Sequence, residues 1–178
     1  MTKHGVVLLG GLAVGKTALC LKLAYGTFSD SFHFPNDECY TVLIQLDDEP
    51  VYLDIYDSKR EIVDIERISC YSKYRGHIFV YSIISRESFD SVSKYFQLVQ
   101  ESEYRTCPYL LIGTKCDIED KRQVSYEEGM ELSKTLGCSF FEISCKNGTN
   151  IPEAFANITK QVKSLEESIE GNDRVKIK

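Results

Sequence analysis

Residues 10–17 read Gly10-Gly11-Leu12-Ala13-Val14-Gly15-Lys16-Thr17, directly after the apolar run 6–9 and ahead of a segment with helical apolar spacing. Glycine, four residues, then Gly-Lys-Thr is the pattern of a phosphate-binding loop, and each residue type in it has a physical reason. Glycines let successive backbone N–H groups turn inward, a lysine ammonium meets terminal phosphates, and a threonine hydroxyl reaches a magnesium ion. Ala18 then enters the helix. A strand before such a loop and a helix after it commit the chain to an α/β sheet. A glycine turn beside a surface lysine is the competing reading, and the flanking elements speak against it.

The remaining short apolar runs fall at 40–46, 51–56, 77–83, 109–112 and 139–143, so six strands are expected. Helix-spaced apolar residues lie between several of them: Ile62, Ile65 and Ile68, then Phe89, Val92, Phe96 and Val99. Ser125 and Glu128 have capping-box spacing, which starts a helix that should end near Gly137. A last helix is expected from Asn150 as cap, with Pro152 in its first turn and Ile151, Phe155, Ile158, Val162 and Leu165 on one face. Asp47-Asp48-Glu49-Pro50 is too short for a crossover, so runs 40–46 and 51–56 should pair as an antiparallel hairpin. The result is a six-stranded, mostly parallel sheet with one antiparallel strand and helices on both faces, with ligands bound beyond the strands' carboxyl ends. Residues 26–37 read as a long loop, and loops of that length are often functional.

A chain of 178 residues can bury one core, and a single domain is expected over 1–170 with a polar tail at 171–178. Its net charge of −6, with no stripe of lysine and arginine, excludes a general nucleic-acid-binding surface. Seven cysteines, an odd number without close-paired metal spacing, suggest reduced and mostly packed thiols in the cytoplasm rather than a disulfide framework. No run approaches the roughly 18 apolar residues of a membrane span, and no apolar signal segment leads the chain. A soluble monomer is expected.

Phe28, Asp57, Thr114-Lys115-Cys116-Asp117 and Ser144-Cys145-Lys146 follow the first loop in an order and spacing that resemble the small GTPases of the Ras superfamily, most of all its Ras and Rap branch. The resemblance runs from Lys3 to about Leu165 and implies a P-loop G domain binding GTP or GDP with magnesium. It implies that Asp117 accepts two hydrogen bonds from guanine, a pair that adenine cannot offer. Lys115 would lie along the base, and Thr114 stands where asparagine is commoner. The Cys145 N–H would meet the guanine keto oxygen, Ser144 and Lys146 would fix that loop, and Phe28 would pack edge-on against the base. Asp57 would hold magnesium through water and Thr17 directly. Gly10, Leu12, Ala13, Val14, Gly15, Lys16, Thr17 and Ala18 would surround the phosphates. As simpler readings, Phe28 is core filling, Asp117 a helix or turn cap, and Asp57 a turn residue at a strand end.

The sequence departs from the family's pattern where the terminal phosphate is sensed and cleaved. Pro35 stands where a switch threonine is usual, and proline has neither donor; Asn36 can substitute only by a one-residue shift. Asp57-Ser58-Lys59-Arg60-Glu61 lacks the hinge glycine and the water-positioning glutamine, which leaves Lys16 and Glu61 as the catalytic candidates and implies slow hydrolysis. Lys59 or Arg60 can supply positive charge, or both are solvated surface cations. Leu12 replaces a glycine and is expected to crowd the γ-phosphate region and any arginine finger, so activating proteins should act poorly. The chain ends Arg174-Val175-Lys176-Ile177-Lys178 without a prenylation cysteine, so no membrane anchor is expected unless a tail has been removed.

Two functions of different class follow. One is a nucleotide switch that binds effectors through the first switch and the 40–46 edge strand, with an exchange factor as a further partner. The other is a pseudo-GTPase that serves as a constitutive interaction module with structural nucleotide or none. A P-loop nucleoside or nucleotide kinase explains the first loop and leaves Asp117 and Ser144 unexplained.

Overall fold

Val6, Val7, Leu8 and Leu9 are all buried, with Val6 and Leu8 in one apolar cluster and Val7 and Leu9 in another. A strand covered on both faces reads as a continuous apolar run, and this one lies inside a mostly parallel sheet. A computed structural model describes residues 3–28, 37–47, 49–58, 74–102 and 105–175. The strands are β1 (Lys3–Leu9), β2 (Cys39–Gln45), β3 (Pro50–Asp57), β4 (Gly76–Ser82), β5 (Tyr109–Thr114) and β6 (Ser139–Glu142). They lie in the order β2-β3-β1-β4-β5-β6, with β2 antiparallel to β3 and the other pairs parallel. All six expected strands are present.

The helices are α1 (Lys16–Tyr25), α2 (Arg86–Asp90), α3 (Val92–Gln100), α4 (Tyr126–Leu136) and α5 (Ile151–Val175). Leu19 and Cys20 of α1 and Ile151, Phe155, Ile158 and Val162 of α5 close one face of the sheet. Val92, Tyr95 and Val99 of α3 and Leu136 of α4 close the other. The capping box forms as expected: the Ser125 hydroxyl accepts from the Glu128 N–H and the Glu128 carboxylate accepts from the Ser125 N–H. Gly137 ends that helix at φ +68°, in the left-handed region that a glycine reaches without steric cost.

Four expectations change. The segment containing Phe89, Val92, Phe96 and Val99 is two helices rather than one, broken at Ser91, whose hydroxyl donates to Ser88 O at 2.8 Å and competes for a helical acceptor. Asn150 occupies the cap position of α5, its carbonyl accepting from the Ala154 N–H, but it sits at φ +57° and its side-chain amide donates to Glu142 O. Strand β5 runs on to Thr114, so this residue closes the strand instead of opening the following loop. Helix α5 continues to Val175, past the expected start of the tail. The run Ile62, Ile65, Ile68 lies outside the described residues, as do Pro35, Asn36, Lys59, Arg60 and Glu61.

The described cysteines are free thiols; Cys20, Cys107 and Cys145 are buried and Cys39 is exposed. No helix among the described residues is long and apolar enough to cross a membrane. His77 is buried in β4, and burial holds its pKa at about 4, below the ordinary 6.5. Between those values the unfolded chain binds a proton that the folded one refuses. Stability is therefore complete above about pH 6.5 and falls as pH drops toward 4, by roughly 3 kcal/mol from this residue. Urea titrations across that range should show a shallower acid loss for His77→Leu than for the wild type; parallel curves would contradict the assignment.

Candidate functional site

The phosphate-binding loop links β1 to α1 at the carboxyl edge of the sheet. Gly15 precedes the helix at φ +100°, a conformation that excludes an ordinary side chain. Helix α1 has no side-chain cap and no acidic residue in its first turn. Its first N–H groups and the positive end of its dipole therefore suit an anion. Gly10 is glycine for a different reason: a Cβ there would lie 2.2 Å from the Val80 carbonyl oxygen of β4. Ala13 is at φ +56°, strained for alanine.

Lys16 is buried and its ammonium donates to Gly10 O at 2.8 Å and Gly11 O at 2.7 Å, which folds the side chain back over the loop. The Thr17 hydroxyl donates to Asp57 Oδ2 at 2.5 Å, across from α1 to the end of β3. A hydroxyl and a carboxylate side by side are hard oxygen donors of the kind magnesium takes, with phosphate and water filling the other positions. Asp57 is fully buried, and its own N–H donates to Glu38 O at 2.8 Å. The donor set thus fits a divalent cation at the phosphate end. The next residue, Ser58, is tied back to Leu8 O.

A cavity of about 380 Å³ opens beside this loop, lined by Gly15, Ala18, Phe28, Ile84, Thr114, Lys115, Asp117, Ile118, Cys145 and Lys146. Its size is within the range of small-ligand sites, and it has apolar walls and a carboxylate at its edge. Thr114 Oγ1 faces two carbonyls, Val14 O at 2.5 Å and Tyr81 O at 3.0 Å, and so joins the end of β5 to the phosphate loop. Lys115, at φ +65°, donates to Ala13 O at 2.9 Å. Its stem therefore runs along the cavity wall to the first loop. Burial lowers the Lys115 pKa, and the neighbouring Cys145 and Asp117 oppose that shift. Ser144 is fully buried; its hydroxyl accepts from the Asn147 N–H at 3.1 Å and its carbonyl from the Gly148 N–H at 2.8 Å, which shapes the loop that presents Cys145. Burial and then Asp117 push the Cys145 thiol up to about 12, so it is a neutral wall at ordinary pH.

Most of the residues picked from the sequence therefore meet in one place. Ser144 supports the cavity from behind instead of lining it, and Leu12 is not among its walls. Leu12 is 69% exposed and, with Gly11, borders a separate small cleft against Ser85, Glu87, Ser88 and Ser91. Ile84 and Ile118 were missed as cavity walls. Their only sequence signal is position, one following the end of β4 and the other following Asp117.

The Ras family model matches residues 5–164, and the chain belongs to the Ras family, with the α/β fold of the P-loop GTPases. It is 34% identical over 165 residues to Ras-like protein 1 of Saccharomyces cerevisiae, covering 90% of this chain and 53% of that protein. The chain thus spans about half the length of this relative.

Proposed function

We propose that the chain is a guanine-nucleotide-binding switch that takes GDP or GTP with magnesium, hydrolyses GTP slowly and signals through protein partners. The observation that supports this most is the convergence of Asp117, Lys115, Cys145 and Phe28 on one cavity beside Gly15 and Ala18. Asp117 would accept from the ring N–H and exocyclic amine of guanine, and the Cys145 N–H would face the keto oxygen. Thr17 and Asp57 would hold the cation, and Lys16 would turn from its own loop toward the phosphates. Bound magnesium would supply charge neutralisation at the phosphates. Slow hydrolysis rests on the sequence alone, on Arg60 and Glu61 in place of glycine and glutamine.

Effectors are proposed at the first switch and along β2. That strand is at the sheet edge, its Cys39, Thr41, Leu43 and Gln45 face outward, and Leu43 is 58% exposed. An added strand would extend the sheet there. An exchange factor belongs to the same proposal, whereas Leu12 argues against response to an ordinary activating protein. The proposed location is the cytoplasm, which cell fractionation tests. A pseudo-GTPase is the second reading, favoured by the joint replacement at Pro35, Arg60 and Glu61.

The deciding experiment releases the ligand from freshly purified protein, identifies it by ion-exchange chromatography and follows loaded GTP over hours with magnesium. Recovered GDP with steady cleavage supports the switch; persistent GTP or an empty site favours the pseudo-GTPase. Combining Leu12→Gly, Arg60→Gly and Glu61→Gln should then raise single-turnover hydrolysis by about tenfold to a hundredfold. No gain would mean that these positions do not limit the rate.

A further inference from the structure

Arg122 belongs to none of the nucleotide motifs, yet its guanidinium is engaged on every side between the two loops that line the base cavity. Nε donates to Glu119 Oε1 at 2.8 Å and lies 2.9 Å from Oε2. Nη1 donates to Glu142 Oε1 at 2.7 Å and to Val124 O at 2.9 Å. Nη2 donates to Glu142 Oε2 at 2.8 Å and lies 2.8 Å from Glu119 Oε2. A guanidinium has five N–H donors in a rigid plane, and here that plane is fixed by two carboxylates and a carbonyl.

The partners stand at informative places. Glu119 begins the short 3-10 turn that follows Lys115, Cys116 and Asp117. Glu142 is the last residue of β6, just before Ile143, Ser144 and Cys145, and is buried. The Glu142 carbonyl accepts from Asn150 Nδ2 at 2.8 Å, so the same residue also secures the far end of the Ser144 loop. Past the β5–β6 ladder the backbone joins the two loops through the Cys116 N–H and Ile143 O at 3.2 Å. Asp117 lies beyond that bond, on the stretch that Arg122 spans.

We propose that Arg122 is a positioning residue for guanine recognition, locking the loop of Lys115 and Asp117 to the loop of Ser144, Cys145 and Lys146 and so setting the width of the base pocket. The proposal rests on the base-site reading above. Selectivity for guanine requires Asp117 on one edge of the base and the Cys145 N–H on another, and these sit on different loops. A bidentate fork fixes distance and orientation together, which the point charge of a lysine does not. Without Arg122, the buried Glu142 carboxylate loses its bidentate partner, and the rearrangement that brings water to it shifts the base of the Ser144 loop.

The test compares wild type, Arg122→Ala and Arg122→Lys for the dissociation rate of a fluorescent GDP, the ratio of GDP to IDP affinity, and thermal unfolding. IDP lacks the exocyclic amine, so the ratio reads the Asp117 contact directly. Arg122→Ala should release GDP at least about tenfold faster and narrow the GDP-to-IDP ratio, with Arg122→Lys between it and the wild type. A lower unfolding temperature with wild-type release and an unchanged ratio would overturn the proposal, leaving Arg122 a purely structural residue. If Arg122→Ala does not fold, folded Arg122→Lys with wild-type release and ratio overturns it equally. A wild-type protein with no preference for GDP over IDP overturns the base-site reading, and this proposal with it, before any substitution is made.

Discussion

Replacing Asp117 with asparagine is expected to lower GTP affinity at least about a hundredfold while raising affinity for XTP. A carboxylate accepts from both the ring N–H and the exocyclic amine of guanine, and hydrogen bonds to a charged group contribute about 1.5–3 kcal/mol each. Asparagine turns an amide N–H₂ toward that amine, donor against donor. Xanthine carries a carbonyl in place of the amine, which the amide N–H₂ can meet. Competition of GTP and XTP against a fluorescent GDP measures both changes, and unchanged affinities for the two nucleotides would refute the base contact. Asp117 is exposed at the cavity edge, so thermal unfolding of the apo protein should move little. The substitution also removes an anion that opposes the burial-driven fall in the Lys115 pKa, so that pKa should drop further.

The residues that carry this prediction could be read from the sequence because each belongs to a local pattern. Strands β1 and β2 announced themselves as apolar runs, β1 against a glycine loop, and the structure resolves β2 into Tyr40, Val42 and Ile44 inward and the residues between them outward. Ser125 and Glu128 satisfy one another within a single helical turn, so spacing alone predicted them. What escaped were interactions without a period. Ser91 breaks a helix whose apolar spacing continues across it, because a hydroxyl bond to Ser88 O leaves no mark on hydrophobic periodicity. Asn150 has the composition of a side-chain cap, but the Glu142 carbonyl takes its amide. Arg122 and Glu142 meet across the β5–β6 connection, and one arginine among many gives no hint of its partner. Ile84 and Ile118 became cavity walls only when the ends of β4 and β5 were brought side by side.

The glycines of the first loop show the same boundary, and they lead to the second large effect. The sequence assigns Gly10 and Gly11 one role, letting the backbone curl, but their surroundings differ. At Gly10 a Cβ would sit 2.2 Å from Val80 O and 3.2 Å from the carbonyl carbon, both backbone atoms of β4. Neither side can yield cheaply, since Leu9 is in register with Phe79 in the β1–β4 pair and its loss would open the centre of the sheet. At Gly11 the nearest atoms to a Cβ are Val14 Cγ1 at 3.9 Å and Ser91 Oγ at 4.0 Å, ordinary contacts. Gly10→Ala should therefore destabilise the fold by roughly 3 kcal/mol or more, whereas Gly11→Ala should cost under about 1 kcal/mol. Gly10→Ala should also weaken nucleotide binding, because pushing the loop off β4 displaces the backbone N–H groups that would face the phosphates. Urea denaturation of the two variants, with and without GDP and magnesium, measures both effects. Equal stabilities would mean that the loop has room to move away from β4, and that Gly10 serves only the curl of the backbone.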